Sequence, residues 1–162
     1  MFQLARKNWI NCSLGLAVLV LSAGVMASAA FAGECPADMK KADARDPVDF
    51  KPVGVTDTVI ASIDVAKPPF NINDRTFRMR KLTIVPGGIV PWHSHADRPA
   101  IIYITEGEII EYASNCAAPI VHKAGDVVAE TSEVSHWWKN LSGKTAVLLS
   151  ADLLKDANDH NM

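Results

Sequence analysis

The chain has 162 residues, 18 acidic against 16 basic, for a formal net charge of −2. That length suits one domain with a modest core. The lack of a basic excess excludes nucleic acid and anionic membrane surfaces as electrostatic partners.

At the front, Arg6 and Lys7 precede an uncharged run from Leu14 to Ala32 that closes on Ala30-Phe31-Ala32, the small-x-small pattern a signal peptidase needs. Residues 1–32 are therefore expected to be a secretory signal peptide, cleaved before Gly33, which makes the protein exported, periplasmic or secreted. Ser22, Gly24 and Ser28 argue against a spanning anchor of nearly the same length. Membrane contact is expected only through this segment, were it left uncleaved. Cys12 would leave with it, while Cys35 and Cys116 would remain in an oxidising compartment. Such a pair is expected to be bonded, closing about 80 residues and contributing about 4 kcal/mol through loop entropy. The alternative is two thiols that never meet.

Residues 33–56 carry Pro36, Pro47 and Pro52 without sustained periodicity and read as an irregular arm. From Asp57, DTVIASIDVA places Val59, Ala61, Ile63 and Val65 on one face of a half-buried strand. RTFRMRKLTIV follows as a long strand, with Arg78 and Arg80 on the face opposite Phe77 and Met79. Pro86-Gly87-Gly88 marks a tight turn into GGIVPWHSHADRPAIIYITEG, two strands around a short polar turn, and Glu106-Gly107 marks a hairpin into EIIEYA. APIVHKAG, DVVAE, SHWWKN and TAVLLSADLL complete the strands, and residues 155–162 form a polar tail. Turn signals recur about every 8–12 residues with no sustained helical periodicity, the pattern of an all-β sandwich or barrel.

Two histidines, His93 and His95, sit at i and i+2 on one such strand, so both imidazoles face one way. His136, about 40 residues on, lies in another strand and could complete a metal site if the sheet brings it alongside. Taken alone, the pair could equally be exposed or hydrogen-bonded in a core. Around it, Gly87, His93, His95 and Gly107, followed by Gly125, His136 and Asn140, resemble the two motifs of the cupin superfamily over roughly residues 57–154. The resemblance implies a single cupin-type jelly-roll β-barrel, a double-stranded β-sandwich. It also implies a metal centre at His93, His95 and His136.

The sequence departs from the motifs in two places. Ala100 stands where the family's metal-binding glutamate would fall, and Thr131 and Glu133 replace the second motif's Pro and Gly. Three neutral ligands and an open position suit a divalent transition metal: Fe, Mn, Cu, Zn or Ni. The implied function is a metal-dependent enzyme, dioxygenase-like or performing another metal-assisted reaction on a small organic molecule. The alternative is a non-catalytic protein that binds metal or a small ligand, since cupins serve many functions.

Arg98 could clamp a substrate carboxylate or pair with Asp97 or Glu106 at the surface. Trp138 is expected to face the cavity with His136 while Trp137 faces out, and Tyr103 to line the wall. Asp97, Glu106, Glu111 and Glu130 are expected to face solvent, and His122 and His160 to lie at the surface or in the tail. The outer apolar face of TVIASIDV could pair two chains into a homodimer, unless the arm covers that edge.

Overall fold

The computed structural model describes residues 33–131 and 133–155. The expected signal peptide, residues 156–162 of the tail and His160 lie outside the described residues. Past an arm with one 3-10 turn, Ala37–Met39, the described residues form eight strands: β1 (Val53–Asp64), β2 (Thr76–Ser94), β3 (Ala100–Glu106), β4 (Glu108–Ala113), β5 (Ile120–Lys123), β6 (Val127–Glu130), β7 (Ser135–Lys139) and β8 (Ala146–Leu154). They make one curled antiparallel sheet in the order β5-β4-β7-β2-β8-β3-β6, with β1 added along β2. This is the all-β class expected from the strand pattern, in the jelly-roll form that the resemblance implies. Its core is built from alternate residues that share the inner face, among them Leu82, Ile84, Ile104, Ile109, Trp138 and Leu148.

The curl is set by β2. Its first half pairs with β8, from Thr76↔Leu154 to Ile84↔Ala146, and its second half pairs with β7, from Ile89↔Lys139 to Ser94↔Ser135. Pro86-Gly87-Gly88, expected as a tight turn, is thus a bend inside one strand where it changes partner. Gly87 has φ +78, and a Cβ on Gly88 would lie 2.6 Å from Ile84 Cγ2 and 2.8 Å from the Val85 carbonyl. Asn140 holds the bend. Its backbone accepts from Gly87 N–H at 2.8 Å and donates to Gly88 O at 2.9 Å, and its buried amide donates to Ile84 O and Lys144 O.

Two further expectations are corrected. The β3–β4 connection through Gly107 is not a hairpin: β3 pairs with β6 and β8, while β4 pairs with β5 and β7. The polar turn signal is real, but it carries the chain from one half of the curled sheet to the other. The strand expected to be half-buried, β1, is mostly exposed, with Val59, Ile60 and Ile63 each about half accessible. It lies along β2 outside the curl, so alternation there does not mark a core face.

On β2 the arginines share the inner parity with Leu82 and Ile84. Arg78 donates to both oxygens of buried Asp152 at 2.8 and 2.9 Å. Arg80 donates to Asp57 at 2.5 Å and lies 3.4 Å from Asp152. Burial of these guanidiniums is tolerated because carboxylates meet them there.

Candidate metal centre

The site lies where β2 and β7 run side by side. His93 and His136 are directly opposed across that pair, and His95 follows His93 by one full alternation. All three are buried. Their Nε2 atoms form a nearly equilateral triangle with edges of 3.1 Å (His93–His95), 3.0 Å (His95–His136) and 3.1 Å (His136–His93).

Each ring is aimed by its other nitrogen. His93 Nδ1–H donates to Pro91 O at 2.8 Å, His95 Nδ1–H to Arg98 O at 2.9 Å, and His136 Nδ1–H to Glu111 Oε1 at 2.7 Å. Trp138 Nε1 also lies 3.2 Å from His136 Nδ1. That nitrogen already carries the proton it gives to Glu111, so the indole meets the imidazole edge-on as packing. With every Nδ1 a donor, the neutral rings turn bare Nε2 lone pairs toward one another.

The electrostatics favour neutral rings at two corners. Burial and the neighbouring His136 depress His93 well below the ordinary imidazole range and hold His95 at about 4. At His136 burial pulls downward, but the Glu111 and Glu130 carboxylates outweigh it and raise the value. A proton on His136 Nε2 would satisfy its contacts with the other two. The lone pairs of His93 and His95 would still face each other at 3.1 Å. A cation bound by all three removes that repulsion, and neutral imidazoles are the donor set first-row divalent ions take. The described residues therefore fit the group.

Around the ligands stand residues that were expected at the surface. Glu111 is buried and accepts from His136 and from His122 Nε2 at 2.8 Å. Burial pushes its carboxyl up, but these two bonds outweigh it and hold the value at about 2. Glu130 is also buried, with Oε2 3.5 Å from His136 Nδ1, and burial raises its carboxyl to about 7. His122 is fully buried and stacks on Trp138 at 4.7 Å. Strand parity carried the missing signal: Glu111 shares a face with Ile109 and Ala113, and His122 with Ile120. Ala100 pairs directly with Glu130 across β3 and β6, so a carboxylate does stand beside the position that lacks one.

A small cavity adjoins the triad, lined by Arg80, Val90, Ile102, Trp138, Leu148 and Ser150 with the three histidines. Its interior leaves about 20 Å³ to the centres of water-sized molecules, little more than one water needs. Trp138 faces this space. Trp137 instead stacks on Tyr112 at 4.1 Å on the other face. Tyr103 does not line it: the residue is 44% exposed on the outer parity of β3, between inward Ile102 and Ile104. Arg98 is neither at a solvent-facing mouth nor among the lining residues. It is buried, with Nη1 3.7 Å from Asp152. Asp97 is exposed and pairs with Arg75 and Lys155. Cys35 and Cys116 are joined as a disulfide.

A sheet curled around three histidines from two strands defines a cupin-type barrel with a metal-competent centre. Residues 80–152, a little under half of the chain, match the family model described as the cupin domain. No curated protein matches it. Among solved structures, it is similar to a protein from Thermotoga maritima described as a predicted oxalate decarboxylase, at 19% identity and TM-score 0.50 over 75% of this chain and 98% of that one. It is also similar to the Cnp3 cupin domain of Schizosaccharomyces pombe, at 14% identity and TM-score 0.49 over 67% and 69% of the two chains. An oxalate oxidase in complex with glycolate aligns at 20% identity and TM-score 0.49 over 72% and 57%. At these identities the likeness concerns the fold alone.

Proposed function

We propose that this is an exported cupin that holds one divalent transition ion with His93, His95 and His136 and carries out a metal-assisted reaction on a small organic molecule. The observation that carries it is the triangle of Nε2 atoms at 3.0–3.1 Å with every Nδ1 committed as a donor. When bound, the ion supplies Lewis acidity or a redox centre. The chain's own part is to aim three neutral donors, with Glu111 holding the Nδ1 proton of His136 in place. Leu82, Val90, Ile102 and Leu148 keep bulk water from the centre. Ser150 offers the same cavity a hydroxyl beside the Arg80 guanidinium, whose charge Asp57 and Asp152 already meet, which favours a small polar substrate. The narrow cavity limits that substrate to a few heavy atoms unless its walls part.

Elemental analysis of untagged protein tests the centre: about one equivalent of Fe, Mn, Cu, Zn or Ni is expected, and its loss in His136→Ala. Wild-type protein that stays metal-free after reconstitution overturns it. An oxygen-electrode and product screen with small carboxylic acids then tests catalysis. The tightness of the cavity also favours a second reading, a carrier that binds metal or ligand without chemistry. Stoichiometric metal with no turnover on any small acid would select it.

Self-association along the edge strand β1 belongs to the same proposal, because among the described residues β1 pairs only with β2 and leaves Val59, Ile60 and Ile63 half exposed. Light scattering should find a dimer that Ile60→Lys dissociates. A wild-type monomer at high concentration rejects this part.

A further inference from the structure

A second cluster of buried polar groups lies on the far side of His136, away from the triad. His122 gives its Nε2–H to Glu111, so its Nδ1 is an acceptor; that atom is buried and has no hydrogen-bond partner among the described residues. Glu130 Oε1 is likewise buried and unpartnered among the described residues. Each omission is costly, since a buried acceptor without a donor forfeits its hydration for nothing. Glu111 and Glu130 together also place two carboxylates in the interior. Both line a cavity with Glu34, while Lys40 reaches it from an exposed position.

Gly33 closes the same cavity. It has φ +89, and a Cβ built on it would lie 2.9 Å from His122 Nδ1, so its Cα faces that nitrogen with no room for a side chain between them. Two residues on, Cys35 is bonded to Cys116, which is fully buried. The segment is therefore tethered with its first described residue at the wall of this cavity.

We infer that the α-ammonium released at Gly33 by removal of the leader docks into this cavity and donates to His122 Nδ1 and Glu130 Oε1. The bond broken is the Ala32–Gly33 peptide, hydrolysed by a signal peptidase with water as co-reactant, and the new amine takes up a proton. As an amide, Gly33 nitrogen has one donor and no charge, and its preceding residue fixes its direction. As an ammonium it has three donors and one positive charge, free to turn about the Gly33 Cα. The mature terminus thereby becomes part of the shell behind His136. The inference rests on the export reading but not on metal occupancy, and the two fail separately.

N-terminal sequencing of exported protein should give Gly33 first; any other start overturns the inference without touching the metal centre. A chain beginning at Gly33 is then compared with one retaining Ala32. The α-amine of the Gly33 chain should acylate at neutral pH at least about tenfold more slowly than that of the same chain denatured, read by mass spectrometry. Glu130→Gln should restore much of the rate, while Lys40→Ala should not. The chain retaining Ala32 should melt several degrees lower. An amine that reacts as fast folded as denatured, or equal melting of the two chains, overturns the docking even where Gly33 is first.

Discussion

Glu111 does two jobs with one carboxylate: it accepts from His136 Nδ1 at 2.7 Å and from His122 Nε2 at 2.8 Å. Replacing it by Gln removes the charge that fixes the His136 tautomer, so metal affinity in Glu111→Gln should fall by about 10–100-fold. Chelator competition measures this, with far-UV circular dichroism to show the fold intact. The same shell sets a pH dependence in metal-free protein. Glu130 is raised from 4.5 to about 7, so the folded state holds a proton that the unfolded state has released across that window. Its own contribution to stability therefore falls as pH rises from 4.5 to about 7, against the opposite trend set by the lowered His93 and His95. Glu111 works the other way: lowered to about 2, it stabilises above 4.5 and loses that contribution as pH falls toward 2. Thermal melts should show Glu130→Gln gaining on wild type as pH rises from 4.5 to about 7, while both lose stability toward pH 2. The triad was legible in the sequence because i, i+2 spacing and one strand pairing suffice to converge three rings. The residues behind it are not, because charge on Glu111 and Glu130 points to exposure, although their parity with apolar neighbours places them inside.

At the scale of elements, the strands themselves were legible from β-branched alternation and Gly-Pro punctuation, but their partners were not. Glu106-Gly107 looks like any hairpin turn, and only the closed sheet reveals that β3 and β4 pair with different neighbours. Likewise Pro86-Gly87-Gly88 is a bend because Asn140 ties both sides of it together, a contact across more than fifty residues. Asn140→Ala leaves the Ile84 and Lys144 carbonyls without that donor and frees Ser142 from its acceptor. Each buried group left unmatched costs about 1–3 kcal/mol. Urea denaturation should show a loss of at least about 2 kcal/mol. Because the bend orients the half of β2 that carries His93 and His95, metal binding should weaken in parallel. Unchanged affinity in a destabilised Asn140→Ala variant would separate the bend from the site.

At the scale of the molecule, the disulfide decides how firmly the arm belongs to the barrel. Apart from it, the arm is held to the loop after β4 by few polar contacts: an isolated bridge between Lys40 and Cys116, hydrogen bonds from Lys41 and Ala44 N–H to Asn115 and Ser114 carbonyls, and Arg45 donating to Ala117 O. These contacts alone bury little apolar surface, since no residue from 33 to 52 is buried. The Cys35–Cys116 bond spans 81 residues, and a loop of that size restricts the unfolded chain by about 4 kcal/mol. For a domain with a core this small, that is a large share of an ordinary folding free energy. The paired Cys35→Ser, Cys116→Ser variant should therefore lose about 3–4 kcal/mol in denaturant titration, while the triad, built on β2 and β7, keeps its metal in the folded fraction. If the loss is small, the arm must be held by its polar contacts after all. If metal is lost at full folding, the arm supports the ligands from behind, by way of the His122 and Glu111 contacts that lie under Gly33.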